Sequence, residues 1–291
     1  MAQAQRLEKR AVRRAFGRAA RGYDEHAVLE REVGERLVEH LDPIRIEPRR
    51  VVDLGCGTGA LFAELRRRYP RAALVGIDAA PPMLLEARAR VPWWRRALSG
   101  GTPLLACADA ERLPLATGSA ELAISNLLLQ WCDAQAVFAE AARVLATGGL
   151  FLFSTFGPDT LKELRAAFAA AGGGPHVHEF VDMHDLGDAL VAAGFADPVM
   201  EMETLTLEYS TVEALAHDLR RGGGHNARVD RVRGLGGRER WRRMAERYEA
   251  FRRDAILPAT YEVVYGHAWK AAPRRIADGR AIVGFQPRPP R

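Results

Sequence analysis

The 291 residues, 48% hydrophobic and 27% charged, suffice for one large α/β domain with an added cap or for two small domains. No apolar run approaches the ~18 residues of a membrane span, and Cys56, Cys107 and Cys132 are scattered without a C-x-x-C pair, which argues against a disulfide framework or zinc ribbon and for a reducing cytoplasm. The formal charge of +5 leaves room for an acidic partner but equally fits an Arg-, Ala- and Gly-rich composition, and the aromatic-flanked basic motifs of RNA-binding folds are missing.

In chain order, Val12, Phe16, Ala19 and Tyr23, then Leu29, Val33, Leu37 and Leu41, recur at helical spacing. They predict amphipathic helices over 10–22 and 25–41, joined near Tyr23-Asp24. The first 21 residues are Arg-rich with Glu8 as the only acid, but this register makes them part of the fold, not a transit peptide. Short buried strands are expected at 51–54, 74–77, 104–108, 122–125 and 150–154, with helices at 60–69, 83–89 and 137–145 between them. Strands alternating with helices at this pace predict a doubly wound α/β sheet, mostly parallel. Helices at 159–171 and 183–193 follow, then a half-exposed strand at 199–209 and Arg-rich helices at 211–219 and 238–255 around a Gly-rich linker. A final strand is expected at 261–269. The organisation is thus an N-terminal helical lid (1–47), a core (48–156) and the remainder of the same domain (157–272). That remainder holds cap helices within 157–195 and 210–257 and the last two strands within 198–209 and 260–270. The Pro- and Arg-rich 273–291 is expected to be disordered.

The most informative stretch is Val51-Val52-Asp53-Leu54-Gly55-Cys56-Gly57-Thr58-Gly59. A strand breaking into alternating glycines lets a ligand lie against bare backbone. No Gly-Lys-Ser/Thr follows, so this is not a P-loop, and the last two glycines are too close for a dinucleotide fingerprint. Asp53 would repel a pyrophosphate but suits a ligand with an amino group and a sulfonium centre. The D-x-G-x-G-x-G pattern resembles motif I of class I methyltransferases that use S-adenosylmethionine. The cofactor-binding candidates are then Asp53, Gly55, Cys56, Gly57 and Gly59. Asp78, 19 residues beyond Gly59, is placed to accept from the ribose hydroxyls beside Ala79, or else to cap the following helix. Met83 would flank the adenine. Asp109 and Ala110, after the third strand, would meet its amino group and a ring nitrogen. Asn126 would line the path of the methionine half. Gln130 and Trp131 are candidate substrate-binding residues at the floor of the transfer pocket. The spacing of His176, His178 and His184 superficially suggests a metal site, but no Cys or carboxylate cluster supports it, and no metal is expected.

Further segments narrow the resemblance. Arg14-Ala15-Phe16-Gly17-Arg18-Ala19-Ala20 with Tyr23-Asp24, Ser125-Asn126-Leu127-Leu128-Leu129-Gln130-Trp131-Cys132, Phe156-Gly157-Pro158-Asp159-Thr160-Leu161 and Leu257-Pro258-Ala259-Thr260-Tyr261 are similar to the malonyl-[acyl-carrier protein] O-methyltransferase family, which acts early in biotin synthesis. The resemblance implies an acidic acyl-carrier protein as partner and esterification of a malonyl carboxylate, and the missing motifs and spans noted above make neither nucleic acid nor membrane an expected partner. It also suggests catalytic roles for Tyr23, from the lid, and for Arg220, as a substrate-binding cation pairing with the malonyl carboxylate. The chain departs from the family at Leu219-Arg220-Arg221-Gly222-Gly223-Gly224, where Leu-Lys-x-x-Gly-Ala is common. Some segments are shared with a respiratory complex I assembly factor associated with arginine hydroxylation. A methyltransferase for a free small acid or quinone precursor is a further alternative, and a non-catalytic scaffold another.

Overall fold

The computed structural model describes residues 7–91, 102–172, 176–229 and 237–272; the 273–291 tail and part of the Gly-rich linker lie outside them. Among the described residues the chain forms one seven-stranded sheet in the order β3-β2-β1-β4-β5-β7-β6. The strands are β1 (Arg50–Leu54), β2 (Ala73–Asp78), β3 (Leu104–Cys107), β4 (Ala120–Ser125), β5 (Leu145–Phe156), β6 (Phe195–Tyr209) and β7 (Leu257–Lys270). β3, β2, β1, β4 and β5 pair in parallel. β7 is antiparallel to both β5 and β6, so the sheet is mostly parallel with an antiparallel last strand.

Among the described residues three helices precede the sheet: α1 (Lys9–Ala19), α2 (Tyr23–His26) and α3 (Val28–Glu39). The helix expected over 25–41 is thus broken at Ala27, whose ψ of 47° is not helical. α4 (Phe62–Arg68), α5 (Pro81–Arg90) and α6 (Ala134–Val144) link the core strands, and α7 (Lys162–Ala170), α8 (Met183–Ala192), α9 (Val212–Arg221) and α10 (Gly237–Tyr248) belong to the second half. α7 begins three residues later than expected because Leu161 takes φ 54°. The preceding turn is tied instead to β7, with Gly157 N–H donating to the Glu262 carbonyl at 2.9 Å.

Two apolar layers enclose the sheet, and strand alternation decides which residue joins which. Leu150 and Leu152 pack with α3, α4, α7, α9 and α10, whereas Phe151 and Phe153 pack with α6 and α8. On β1, Val52 and Leu54 join the second layer and Val51 the first. By the same alternation Asp53 shares the face of Val51, at the carboxyl end of a buried strand. Because β2 and β4 lie on opposite sides of β1, that end is the switch point where open α/β sheets bind ligands.

Candidate functional site

Leaving β1, the backbone enters the left-handed region at Gly55, Gly57 and Gly59, with φ of 72°, 53° and 76°, a conformation L side chains rarely adopt. The three glycines have different reasons. A Cβ on Gly55 would lie 2.9 Å from Leu128, and one on Gly59 only 2.6 Å from Phe62, while one on Gly57 would meet nothing within 4 Å. Gly55 and Gly59 therefore serve internal packing, and Gly57 opens onto a cavity. The turn is pinned to β2: Gly55 and Cys56 N–H donate to the Ile77 carbonyl at 2.8 and 3.0 Å. Gly57 N–H donates to Asp78 Oδ2 at 3.0 Å, and Ala80 N–H to Oδ1 at 2.7 Å. Ala80, not Asp78, occupies the N-cap position of α5.

Asp53 is 3% exposed, and its Oδ2 is buried without a hydrogen-bond partner. Burial first, then the Asp78 carboxylate, pushes its carboxyl up to about 7. A buried carboxylate lacking a partner is costly in isolation and invites a cationic ligand group. Burial raises Asp78 as well, offset by its two backbone donors.

These groups face a cavity of about 1170 Å³ lined by elements from the core, the lid and the cap. Of the residues singled out from the sequence, Tyr23, Asp53, Gly55, Cys56, Gly57, Asp78, Ala79, Met83, Asp109, Ala110, Asn126, Gln130 and Trp131 line it together. Two do not. Gly59 packs against Phe62, as above. Arg220 is exposed on α9 and absent from the lining, whereas its neighbours Asp218, Leu219 and Gly222 contribute. The helix turns the Arg220 side chain to solvent, since residues one apart do not share a face. The cation expected to pair with substrate thus lies outside the cavity lining.

The lid is fastened at several points. Asn126 Nδ2 donates to the Glu30 carbonyl of α3 at 2.7 Å while its Oδ1 accepts from Ser154 at 2.7 Å. Thr58 Oγ1 donates to Asp24 at 2.6 Å, and Arg90 pairs with the same carboxylate. Lys9 Nζ lies 3.2 Å from Asp109 and 2.5 Å from Glu111. Met83 packs with Ala20, Phe16 and Tyr23, so the adenine candidate also supports the lid. Asp109, Glu111 and Cys132 could geometrically surround a cation, but the Lys9 ammonium already stands among them. The histidine hint dissolves similarly. The His178 ring, whose proton affinity burial lowers to about 4, accepts from Ala227 N–H at 3.2 Å and packs edge-on to Trp131. His176 stacks on Phe168, and His184 bonds to Asp182 outside the cavity.

Sequence reasoning missed Lys9, Thr58 and Glu30. A lysine at the start of a helix, a Thr between glycines and a Glu on an amphipathic helix each have an ordinary surface reading, and only the closed lid brings them inward.

Residues 52–153 match the family model described as "Methyltransferase domain". A malonyl-[acyl-carrier protein] O-methyltransferase of Gallionella capsiferriformans is 51% identical over 278 residues, covering 95% of this chain and 96% of that one. The protein of the same name from Laribacter hongkongensis is 51% identical over 296 residues, covering all of both chains. Among solved structures, a SAM-dependent methyltransferase of Thermotoga maritima aligns with TM-score 0.53 at 17% identity over 89% of this chain and 99% of that one, which bears on the fold alone.

Proposed function

The chain belongs to the malonyl-[acyl-carrier protein] O-methyltransferase family, and from that premise we propose that it esterifies the free carboxylate of a malonyl thioester on an acidic acyl-carrier protein. S-adenosylmethionine is the cofactor and supplies an electrophilic methyl group. The observation that carries the reading is full-length 51% identity to a protein of that activity, joined to a cavity in which a buried, partnerless carboxylate meets a glycine turn.

The residues fit the cofactor. Asp53 would take its ammonium group, Gly57 would let it approach the backbone, and Asp78 and Asp109 would accept from the ribose and adenine. Each oxygen of Asp78 keeps a lone pair beyond its backbone donor. The malonyl carboxylate is ionised at pH 7, so no general base is needed. The bound cofactor would supply its methyl group to one carboxylate oxygen and would keep the carbon–sulfur bonding pair on sulfur. Sulfonium and carboxylate both become neutral, so a closed, dry cavity favours the transition state over the separated charges. The lid contacts of Lys9, Asp24 and Glu30 with the core support this closure, with Tyr23 and Trp131 as apolar walls. No helix among the described residues is long and apolar enough to cross a membrane; a cytoplasmic site of action rests on the family's substrate.

The test is incubation with labelled S-adenosylmethionine and malonyl-carrier protein. A base-labile methyl ester on the malonyl group is expected, and label elsewhere or nowhere would sink the reading.

Lys9→Met gives a separate check on the lid. Removing the ammonium from two half-exposed carboxylates should weaken S-adenosylmethionine binding by roughly three- to tenfold, mostly through faster dissociation. Stopped-flow measurement should also show that the variant loses part of the wild type's salt dependence.

A further inference from the structure

Toward the cap, beyond Asn126, the cavity lining includes the acids Glu30 and Asp218 and the phenols Tyr23 and Tyr261 among apolar side chains and imidazoles. Glu30, on α3, belongs to this lining. Its carbonyl holds Asn126, and its Oε1 lies 3.5 Å from where a Cβ on Gly222 would stand. From α9, Asp218 lines the same space; it accepts from Tyr209 of β6 at 2.7 Å and lies 3.7 Å from His26 of α2. His26 in turn meets His217 edge-on. Tyr261 of β7 and Tyr23 of α2 complete the surround. Among the described residues, the lysine and arginines of the lining are paired or exposed. Lys9, Arg67, Arg68 and Arg90 each pair with a carboxylate of the chain, and Arg13 and Arg31 are exposed.

A malonyl carboxylate brought here would be repelled by an ionised Glu30. Two carboxyl groups that close are stable when one keeps a proton between them. Resting on the function proposed above, we propose that Glu30 in its neutral form is the substrate-recognition group, donating its proton as a hydrogen bond to the non-attacking oxygen of the malonyl carboxylate. The other oxygen is left free for the methyl group. Glu30 keeps its proton throughout: the ester forms without acid or base transfer, and the donor then faces a neutral carbonyl to which it bonds less strongly, which aids release.

Burial pushes the Glu30 carboxyl up to about 7, with its own backbone N–H opposing and Asp218 adding to the rise. The neutral form is therefore populated below that pH and lost above it, while the substrate stays ionised across the range.

The experiment is the pH dependence, from 6 to 9, of kcat/KM for malonyl-carrier protein at saturating S-adenosylmethionine. The wild type should fall about tenfold per pH unit once Glu30 ionises. Glu30→Gln, which keeps a donor but cannot ionise, should lose this alkaline limb and retain activity near pH 6.5 within about threefold. Glu30→Ala should be low at every pH, roughly 30-fold or more below wild type, because the carboxylate loses its donor. Asp218→Asn should move the limb to lower pH by removing a like charge. Calorimetry with S-adenosylmethionine checks that each variant still binds cofactor. An unchanged limb in Glu30→Gln, or wild-type kinetics in Glu30→Ala, overturns the role of Glu30 while leaving the function intact. A wild type that forms no methyl ester fails the function itself.

Discussion

Asp53→Asn should lose S-adenosylmethionine affinity by about 100-fold or more, yet give a ligand-free protein that is more stable at pH 8. Both effects come from one buried oxygen. Wild-type Asp53 has no partner for Oδ2, and its carboxyl is pushed up to about 7 by burial and by Asp78. The unfolded chain releases this proton near 3.8 and the folded chain near 7, so between those values the folded state holds more protons. The stability contributed by this group therefore falls as pH rises across that window and stays low above it. Asn never ionises and escapes the loss, worth roughly 1 to 3 kcal/mol at pH 8 after allowance for an imperfectly paired amide. Binding reverses the preference. An ammonium group beside Asp53 favours its ionised form, and losing a charge-assisted contact in a buried site costs about 2–4 kcal/mol. Calorimetry in buffers of different ionisation enthalpy supplies the sign: near pH 6.5 the wild type should release a large fraction of a proton on binding, and the variant none from this site. Equal proton release by both proteins, or undiminished affinity in the variant, would remove Asp53 from the cofactor site.

The parts legible in the sequence are those whose physics is local. A short apolar run at 150–154 and glycines on alternate positions after β1 need no tertiary partner to be read, so the sheet and the turn are legible, and Asp53, Asp78 and Asp109 stand at or just beyond the ends of their strands. Strand ends were less legible: β6 and β7 extend several residues beyond expectation because they pair with each other along nearly their whole length, a long-range contact that overrides residue preference. The break at Ala27 was invisible for a related reason. The helical apolar spacing continues across it, but Asp24 is held by Thr58 and Arg90 and Asn126 by Glu30, so tertiary anchors on both sides reorient α2 against α3.

Arg220 shows the limit of reading chemistry from charge. Near the end of an Arg-rich amphipathic helix, a cation offered itself as the partner of an anionic substrate, yet α9 buries Val212 and Leu215 and directs Arg220 outward. The inward face brings Asp218 instead, and with Glu30 it puts two acids on that side of the cavity. That reversal moves recognition of a carboxylate from ion pairing to a shared proton, and it makes Glu30, an unremarked residue of the lid, the one on which pH dependence should turn.

Gly57→Ala and Gly59→Ala should separate binding from folding, although they alter neighbouring glycines of one turn. Both residues have positive φ, 53° and 76°, so each substitution carries the roughly 1–2 kcal/mol cost of a left-handed L residue. Beyond that their fates differ. A methyl on Gly57 meets nothing within 4 Å of protein and projects into the cavity where the cofactor must approach. The folded state tolerates it, and the expected result is a Tm lowered by only a few degrees with S-adenosylmethionine affinity reduced about 100-fold or beyond detection. A methyl on Gly59 falls 2.6 Å from Phe62 and 3.3 Å from Ala87, two side chains of a buried cluster with Cys56. Phe62 would have to leave its place, adding the 1–3 kcal/mol of an overpacked core. The expected result there is a Tm loss roughly twice that of Gly57→Ala, with whatever protein remains folded binding cofactor better than Gly57→Ala does. Thermal melts of the ligand-free variants, paired with calorimetric titration, decide it. Were Gly57→Ala to bind normally, the open side of that glycine would not be where the cofactor lies, and the cavity would have to seat it away from the turn.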